Sequence, residues 1–152
     1  MFEIKYSFAR NFTEDLTAVD EVTLRYELFL GSLWFEKDDK EISMDWEWIP
    51  LLDFALYMHT LCEDLEKQTK REDIFEFTES DATITFRREE DSCEILTSFS
   101  DTSLVMSFAE LKKSAQLFCK KVIADILVKN KELKNNRVFK RELKKAGMKL
   151  RT

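Results

Sequence analysis

The sequence predicts an α+β fold: an antiparallel β-sheet of about six strands in the order β-β-β-α-β-β-β-α, packed with two main helices and a short C-terminal basic helix. Three observations carry this prediction. Short segments near the N-terminus and in the middle of the chain alternate apolar and polar residues, the period of a strand with one buried face. Two longer segments carry apolar residues at helical spacing. Short polar turns join the middle strands, which favours an antiparallel meander.

Taken in order, Phe2, Ile4, Tyr6 and Phe8 alternate with Glu3, Lys5, Ser7 and Ala9 and read as the first strand. "FTEDLTAVD" reads as a loop. Val22, Leu24, Tyr26, Leu28 and Leu30 repeat the alternation and predict a second strand. Gly31-Ser32 then fits a type II′ hairpin turn, with glycine at the first central position. Leu33–Glu36 is the returning strand, "KDDK" turns the chain again, and Glu41–Met44 is expected to be a short further strand. Pro50 suits the first turn of a helix because its missing N–H is not needed there. Leu51, Phe54, Ala55, Met58, Cys62 and Leu65 follow at helical spacing, which predicts a helix from about Pro50 to Lys67. Ile74–Thr78, Ala82–Arg87 and Cys93–Phe99 form the meander. Ser107 and Glu110 make a capping box, and Phe108, Leu111, Ala115, Phe118, Val122 and Ile126 line a long helix ending near Leu133. Asn135-Asn136 breaks or recaps it. In the tail, Phe139, Leu143, Ala146 and Leu150 form a last apolar stripe, and Gly147 ends regular helix. Residues 1–133 are expected to form a single α+β domain, and 134–152 a basic amphipathic tail.

Charge is unevenly placed. The 152-residue chain has a formal charge of −6, yet residues 129–152 hold ten Lys/Arg against two Asp/Glu, a net of +8, which leaves −14 for the rest. Such a body repels nucleic acid and attracts basic partners, including its own tail. The tail has three readings. It docks its apolar stripe on the body, the preferred one; it engages nucleic acid; or it lies on a membrane, the weakest because the stripe is short.

Several chemistries are disfavoured. With only Gly31 and Gly147, neither a P-loop nor a dinucleotide fingerprint can be built. Cys62, Cys93 and Cys119 are widely spaced and odd in number, which suits reduced thiols in a cytoplasmic protein. The first residues show no secretory pattern, and no apolar run approaches the ~20 residues of a membrane helix. His59 and Glu63 lie four apart, with Cys62 beside them, but they lack further ligands at metal-site spacing. Asp53 reads as an exposed acid at a positive helix N-terminus. No metal or other cofactor is expected.

The most suggestive segment is "KDDKEISMDWEWIP". There Asp38, Asp39, Glu41, Asp45 and Glu47 interleave with Trp46 and Trp48, a pattern of aromatic anchors in a charged field that fits a binding hot spot. The alternative is that both tryptophans face the core. Glu89, Glu90 and Asp91 form a second acidic cluster at a turn.

From Phe2 to Leu127 the chain resembles small bacterial immunity-type proteins encoded beside polymorphic and contact-dependent toxins. The likeness rests on "LFLGSLWFE", "WIPLLDFALYMHTL", "FEFTESDATITFRREEDSCEILTSF" and "SFAELKKSAQLFCKKVIADIL". It implies a non-enzymatic inhibitor whose partner is a cognate toxin domain. An acidic body would be steered into the basic groove of a nuclease toxin. The expected interface is the segment from Asp38 to Trp48, then Glu89–Asp91. The rivals are a nucleic-acid-associated protein acting through its tail and, last, a small hydrolase using carboxylates.

Overall fold

The computed structural model describes residues 1–9, 16 and 19–148. Among these, the strands form two antiparallel sheets. β1 (Phe2–Phe8), β2 (Leu30–Lys37) and β3 (Lys40–Pro50) make the first; β4 (Lys70–Glu76), β5 (Thr83–Glu89), β6 (Ser92–Thr97) and β7 (Leu104–Ser107) make the second, each in sequence order. α1 (Leu51–Lys67) joins the sheets, and α2 (Phe108–Lys129) follows the second. A 3-10 turn (Lys131–Asn135) leads into α3 (Arg137–Lys145). The α+β class is as the sequence predicts, but two sheets replace the one of about six strands. The division falls at Pro50, which lacks the N–H a ladder needs; the Leu51 amide bonds instead to the Phe29 carbonyl, at 2.8 Å, as α1 begins.

Two local expectations are overturned. Val22–Phe29 is not strand: Thr23–Leu28 is a π-helical turn, and only Leu30 of the expected segment is strand, as the start of β2. Leu24 and Leu28 are buried whereas Val22 and Tyr26 are exposed. Residues four apart satisfy a helical repeat as well as an alternating one, so the pattern was ambiguous. The Asp20 carboxylate accepts the Thr23 amide at 2.9 Å and its carbonyl accepts Leu24, which starts the turn. Nor is Gly31-Ser32 a hairpin turn. Both residues lie inside β2, and a Cβ on Gly31 would stand 2.1 Å from the Ser7 carbonyl oxygen and 2.7 Å from Leu51. The glycine lets β1 and α1 close on β2. The turn expected at "KDDK" is the hairpin of β2 and β3, at Asp38-Asp39, with Asp38 at φ 55°, in the left-handed region that Asp tolerates better than most residues. The loop at Phe12–Asp20 lies mostly outside the described residues, as does Leu150.

An aromatic chain holds the layers together. Phe35 of β2 meets Phe54 of α1 (6.2 Å between centroids) and Phe86 of β5 (6.5 Å); Phe54 meets Phe75 of β4 (5.1 Å) and Phe118 of α2 (5.8 Å). Both sheets therefore share one core with both long helices. The Ser107 hydroxyl caps α2 by accepting the Glu110 amide. The Glu110 carboxylate does not close the expected capping box; it binds Lys37 at 2.9 Å and the Phe2 amide, tying the start of α2 to the first sheet. Asn136 caps α3 through its side chain, accepting the Phe139 amide at 2.8 Å. Phe139 and Leu143 of α3 are buried in the same core.

Candidate protein-binding face

Strand alternation decides which side chains leave the core. In the first sheet Phe2, Leu33, Phe35, Ile42 and Met44 point inward and are buried. The register sets the outward positions in rows: Glu3, Glu36 and Glu41 lie abreast, and Lys5, Trp34 and Ser43 form the next row. Trp34 is half-buried and stands outside the core cluster. An aromatic residue thus sits mid-sheet beside three aligned glutamates. Like charges directly across a sheet destabilise it, and among the described residues Lys5 alone is ion-paired with these, at 2.7 Å from Glu36 and 4.0 Å from Glu3. The Lys5 hydrogen bond, then one with Glu41, holds the Glu36 carboxyl below its ordinary range; the same bond to Glu36 pushes Glu41 upward. The two carboxylates thus lie side by side at the surface, where an incoming cation would meet both.

The two acidic hairpin tips, separate in sequence, both lie near the start of α2. Asp38 lies 3.6 Å from the Met1 amino group, which also reaches Glu110 at 4.0 Å. Two residues before Glu110, the Phe108 amide bonds to the Asp91 carbonyl at 2.7 Å. Asp38-Asp39 and Glu89–Asp91 therefore flank the start of α2. Arg88 fixes the second tip: its guanidinium lies 4.0 Å over the Phe108 ring and donates to the carbonyls of Glu90 and Leu65. Asp38, Asp39, Glu41, Glu89, Glu90 and Asp91 are all exposed.

Trp46 and Trp48 are elsewhere. Residues 45–48 stand opposite Ser32 alone, because Gly31 pairs with Ile49 and Leu33 with Met44. The Ser32 hydroxyl braces this bulge, donating to Asp45 at 2.9 Å and accepting the Glu47 amide at 3.0 Å. Glu47 takes φ 64° there. The bulge turns both indoles the same way. They stack at 5.1 Å and 10°, and Trp46 meets Phe77 and Phe99 edge-on at 5.3 and 4.8 Å. The tryptophans thus join the end of β3 to the second sheet, while Asp45 and Glu47 remain exposed beside them. Along the strand, about eight residues at ~3.3 Å each separate this end from the hairpin tip.

Asp53 is not the solvated acid expected. Arg25 donates to it at 2.6 and 2.9 Å and to Glu142 of α3 at 2.9 Å. Burial pushes the Asp53 carboxyl up against the pull of Arg25. The Glu142 carboxyl is 1% exposed; burial raises it, but a hydrogen bond with Glu21 and the charges of Arg25 and Lys145 outweigh that and hold it low. A cavity of about 270 Å³ opens beside them, lined also by Tyr57, Thr60 and Phe75. Two carboxylates with opposite displacements suit acid–base chemistry in principle. Here both are committed to Arg25, and the arrangement serves as a clamp on α3. His59 Nε2 lies 3.0 Å from a Glu63 carboxylate oxygen, and the described residues hold no group of three His, Cys, Asp or Glu suited to a metal ion. No helix among them is long and apolar enough to cross a membrane.

Sequence reasoning passed over Glu3, Trp34 and Glu36. Their alternation with buried neighbours was visible, but aligning them across strands required the Asp38-Asp39 turn to be fixed first. No family model matches this chain, and no curated protein or solved structure matches it.

Proposed function

We propose that this chain is a non-enzymatic binding protein of the immunity type, which neutralises a basic toxin domain by covering it with the outer face of its first sheet. The row Glu3–Glu36–Glu41 beside Trp34 carries this reading. These acids are unevenly compensated, with a single lysine, Lys5, paired to them among the described residues. A partner's Lys or Arg removes that repulsion on arrival, and Trp34 supplies the apolar anchor that hot spots favour. The exposed acids of the two hairpin tips extend the same negative field and speed encounter.

The test is co-expression with a neighbouring toxin-type open reading frame, followed by titration of the purified pair. Wild-type protein should protect cells and bind tightly. Trp34→Ala should weaken binding by ~30-fold, matching the ~2 kcal/mol of a hot spot. Glu36→Lys with Glu41→Lys should act mainly on association rate. Full protection by the double variant would exclude this face as the interface.

The nucleic-acid reading keeps one observation in its favour. Arg137, Lys140, Arg141, Lys144 and Lys145 of α3 remain exposed after docking. Salt-dependent binding of RNA or DNA, lost on reversing these charges, would support it.

A further inference from the structure

The opposite character appears along the free edge of β1. Among the described residues, β1 is an outer strand of its sheet and pairs only with β2. The Phe2 amide bonds to Glu110, and the Phe2 carbonyl accepts the Ser114 hydroxyl, so both groups point away from β2. In an antiparallel ladder this direction alternates by residue. The N–H and C=O groups of Ile4 and Tyr6 therefore also face outward, while Ala9, at an odd position, bonds inward to Leu30.

α2 forms a wall beside this edge. Phe2 meets Glu110 and Ser114, whereas Tyr6 meets Phe118 and Asp125, so helix and strand run in the same direction. Between them lies a groove of about 480 Å³, lined by Ile4, Tyr6, Lys113, Leu117, Phe118 and Lys121 among others. Lys113, Leu117 and Lys121 follow one another at helical spacing on its wall. Leu117 is 52% exposed, and neither lysine has a carboxylate partner among the described residues.

We propose that this groove takes an extended acidic segment of a partner protein as an added strand on β1. The occupant's chemistry follows from the spacing. Lys113 and Lys121 are eight residues apart on a helix, about 12 Å at ~1.5 Å each. Two residues four apart on a strand are about 13 Å apart, at ~3.3 Å each, and point the same way. A strand with acids at positions i and i+4 and an apolar residue at i+2 therefore meets Lys113, Leu117 and Lys121 in turn, while its backbone pairs with Ile4 and Tyr6. A second copy of this chain fits less well: a two-fold pairing sets the same patch against itself and brings these lysines toward their own copies. Glu3 and Lys5 also line this groove and belong to the outer-face rows, so the two sites meet along β1; Lys113 and Lys121 lie on α2, outside those rows, and a variant at them tests the groove alone.

A fluorescein-labelled peptide, Thr-Asp-Thr-Val-Thr-Glu-Thr, tests this against full-length protein. Saturable binding is expected by anisotropy, with slowed hydrogen exchange at the Ile4 and Tyr6 amides. Lys113→Glu with Lys121→Glu, both on the surface of α2, should weaken it at least about tenfold, the scale of two exposed ion pairs turned repulsive. Circular dichroism confirms that this variant is folded. The proposal is overturned by equal binding of a Thr-Lys-Thr-Val-Thr-Lys-Thr peptide, by binding without protection of those two amides, or by absence of binding. Concentration-dependent dimerisation that protects the same amides would assign the edge to a second copy and overturn it too.

Discussion

Replacing Phe139 with alanine separates a docked tail from a free basic arm. The side chain is fully buried, and α3 has few other anchors: Leu143, the Glu142–Arg25 pair, and Asn136, whose amide donates to the Leu16 carbonyl at 2.8 Å. Truncating a buried phenylalanine to alanine costs about 3–5 kcal/mol in transfer and cavity terms, a large share of the roughly 5–15 kcal/mol that holds a domain folded. Urea unfolding should show that loss as a lower midpoint. If α3 releases before the rest unfolds, the loss is capped at the undocking free energy; α3 amides then exchange quickly while those of β2 and β5 stay protected. Arg141→Ala is the control, because an exposed side chain should move stability by less than about 0.5 kcal/mol. A Phe139→Ala protein with unchanged midpoint and unchanged α3 exchange would refute the docking of the tail and return it to the nucleic-acid reading.

Two further outcomes follow from titrating groups. The hydrogen bond from Lys37 holds the Glu110 carboxyl below its usual range against the opposing effect of burial, with the Phe2 amide helping. Its folded pKa is therefore lower than in the unfolded chain, so its contribution is complete above about pH 5 and fades as pH falls through the folded value; Glu110→Gln should be less stable than wild type at pH 7 and should converge on it in urea melts toward pH 3. The three thiols are buried and pushed up by that burial, Cys62 and Cys119 to about 12 and Cys93 to about 11, so native protein at pH 7.5 should resist iodoacetamide while urea-unfolded protein takes up three equivalents by mass.

Local signals in the sequence were accurate where one period or one cap sufficed. The helix expected from about Pro50 to Lys67 is α1, Leu51–Lys67; Ser107 caps α2, and Asn136 caps α3. The strand expected at Ile74–Thr78 begins earlier, at Lys70, and β7 lies outside the expected strands. Legibility failed where a residue serves two patterns. Leu24 and Leu28 fit either a strand or a helix, and burial against α1 decides between them. Gly31 signals a turn by identity, yet here it admits a neighbouring carbonyl. Trp46 and Trp48 alternate directly with Asp45 and Glu47, but a bulge braced by Ser32 sends indoles and acids to different surroundings. In each case a distant contact overrode the local rule. The outer-face row failed differently: every member was visible, but alignment across three strands is a property of register.

The tail docks by a route that charge counting alone would miss. A net of −14 over residues 1–128 and +8 over residues 129–152 suggests attraction between the C-terminal bases and the body's acids. The deepest ionic contact is the reverse. Glu142, the one acid of residues 135–152, is buried against Arg25 of the body, while the bases of α3 face solvent. Among the described residues Arg141 reaches a body carboxylate, Glu21, only at 3.5 Å. A surface pair of that kind is worth about 0–1 kcal/mol, far less than burial of Phe139. Docking therefore rests on the apolar stripe, and the buried pair adds specificity because removing either partner strands a charge. The molecule keeps both signs on its surface: an acidic sheet face and hairpin tips, and a basic α3. A basic partner approaching such a distribution is turned toward the sheet before contact, which favours the outer face of β1–β3 as the first surface it meets.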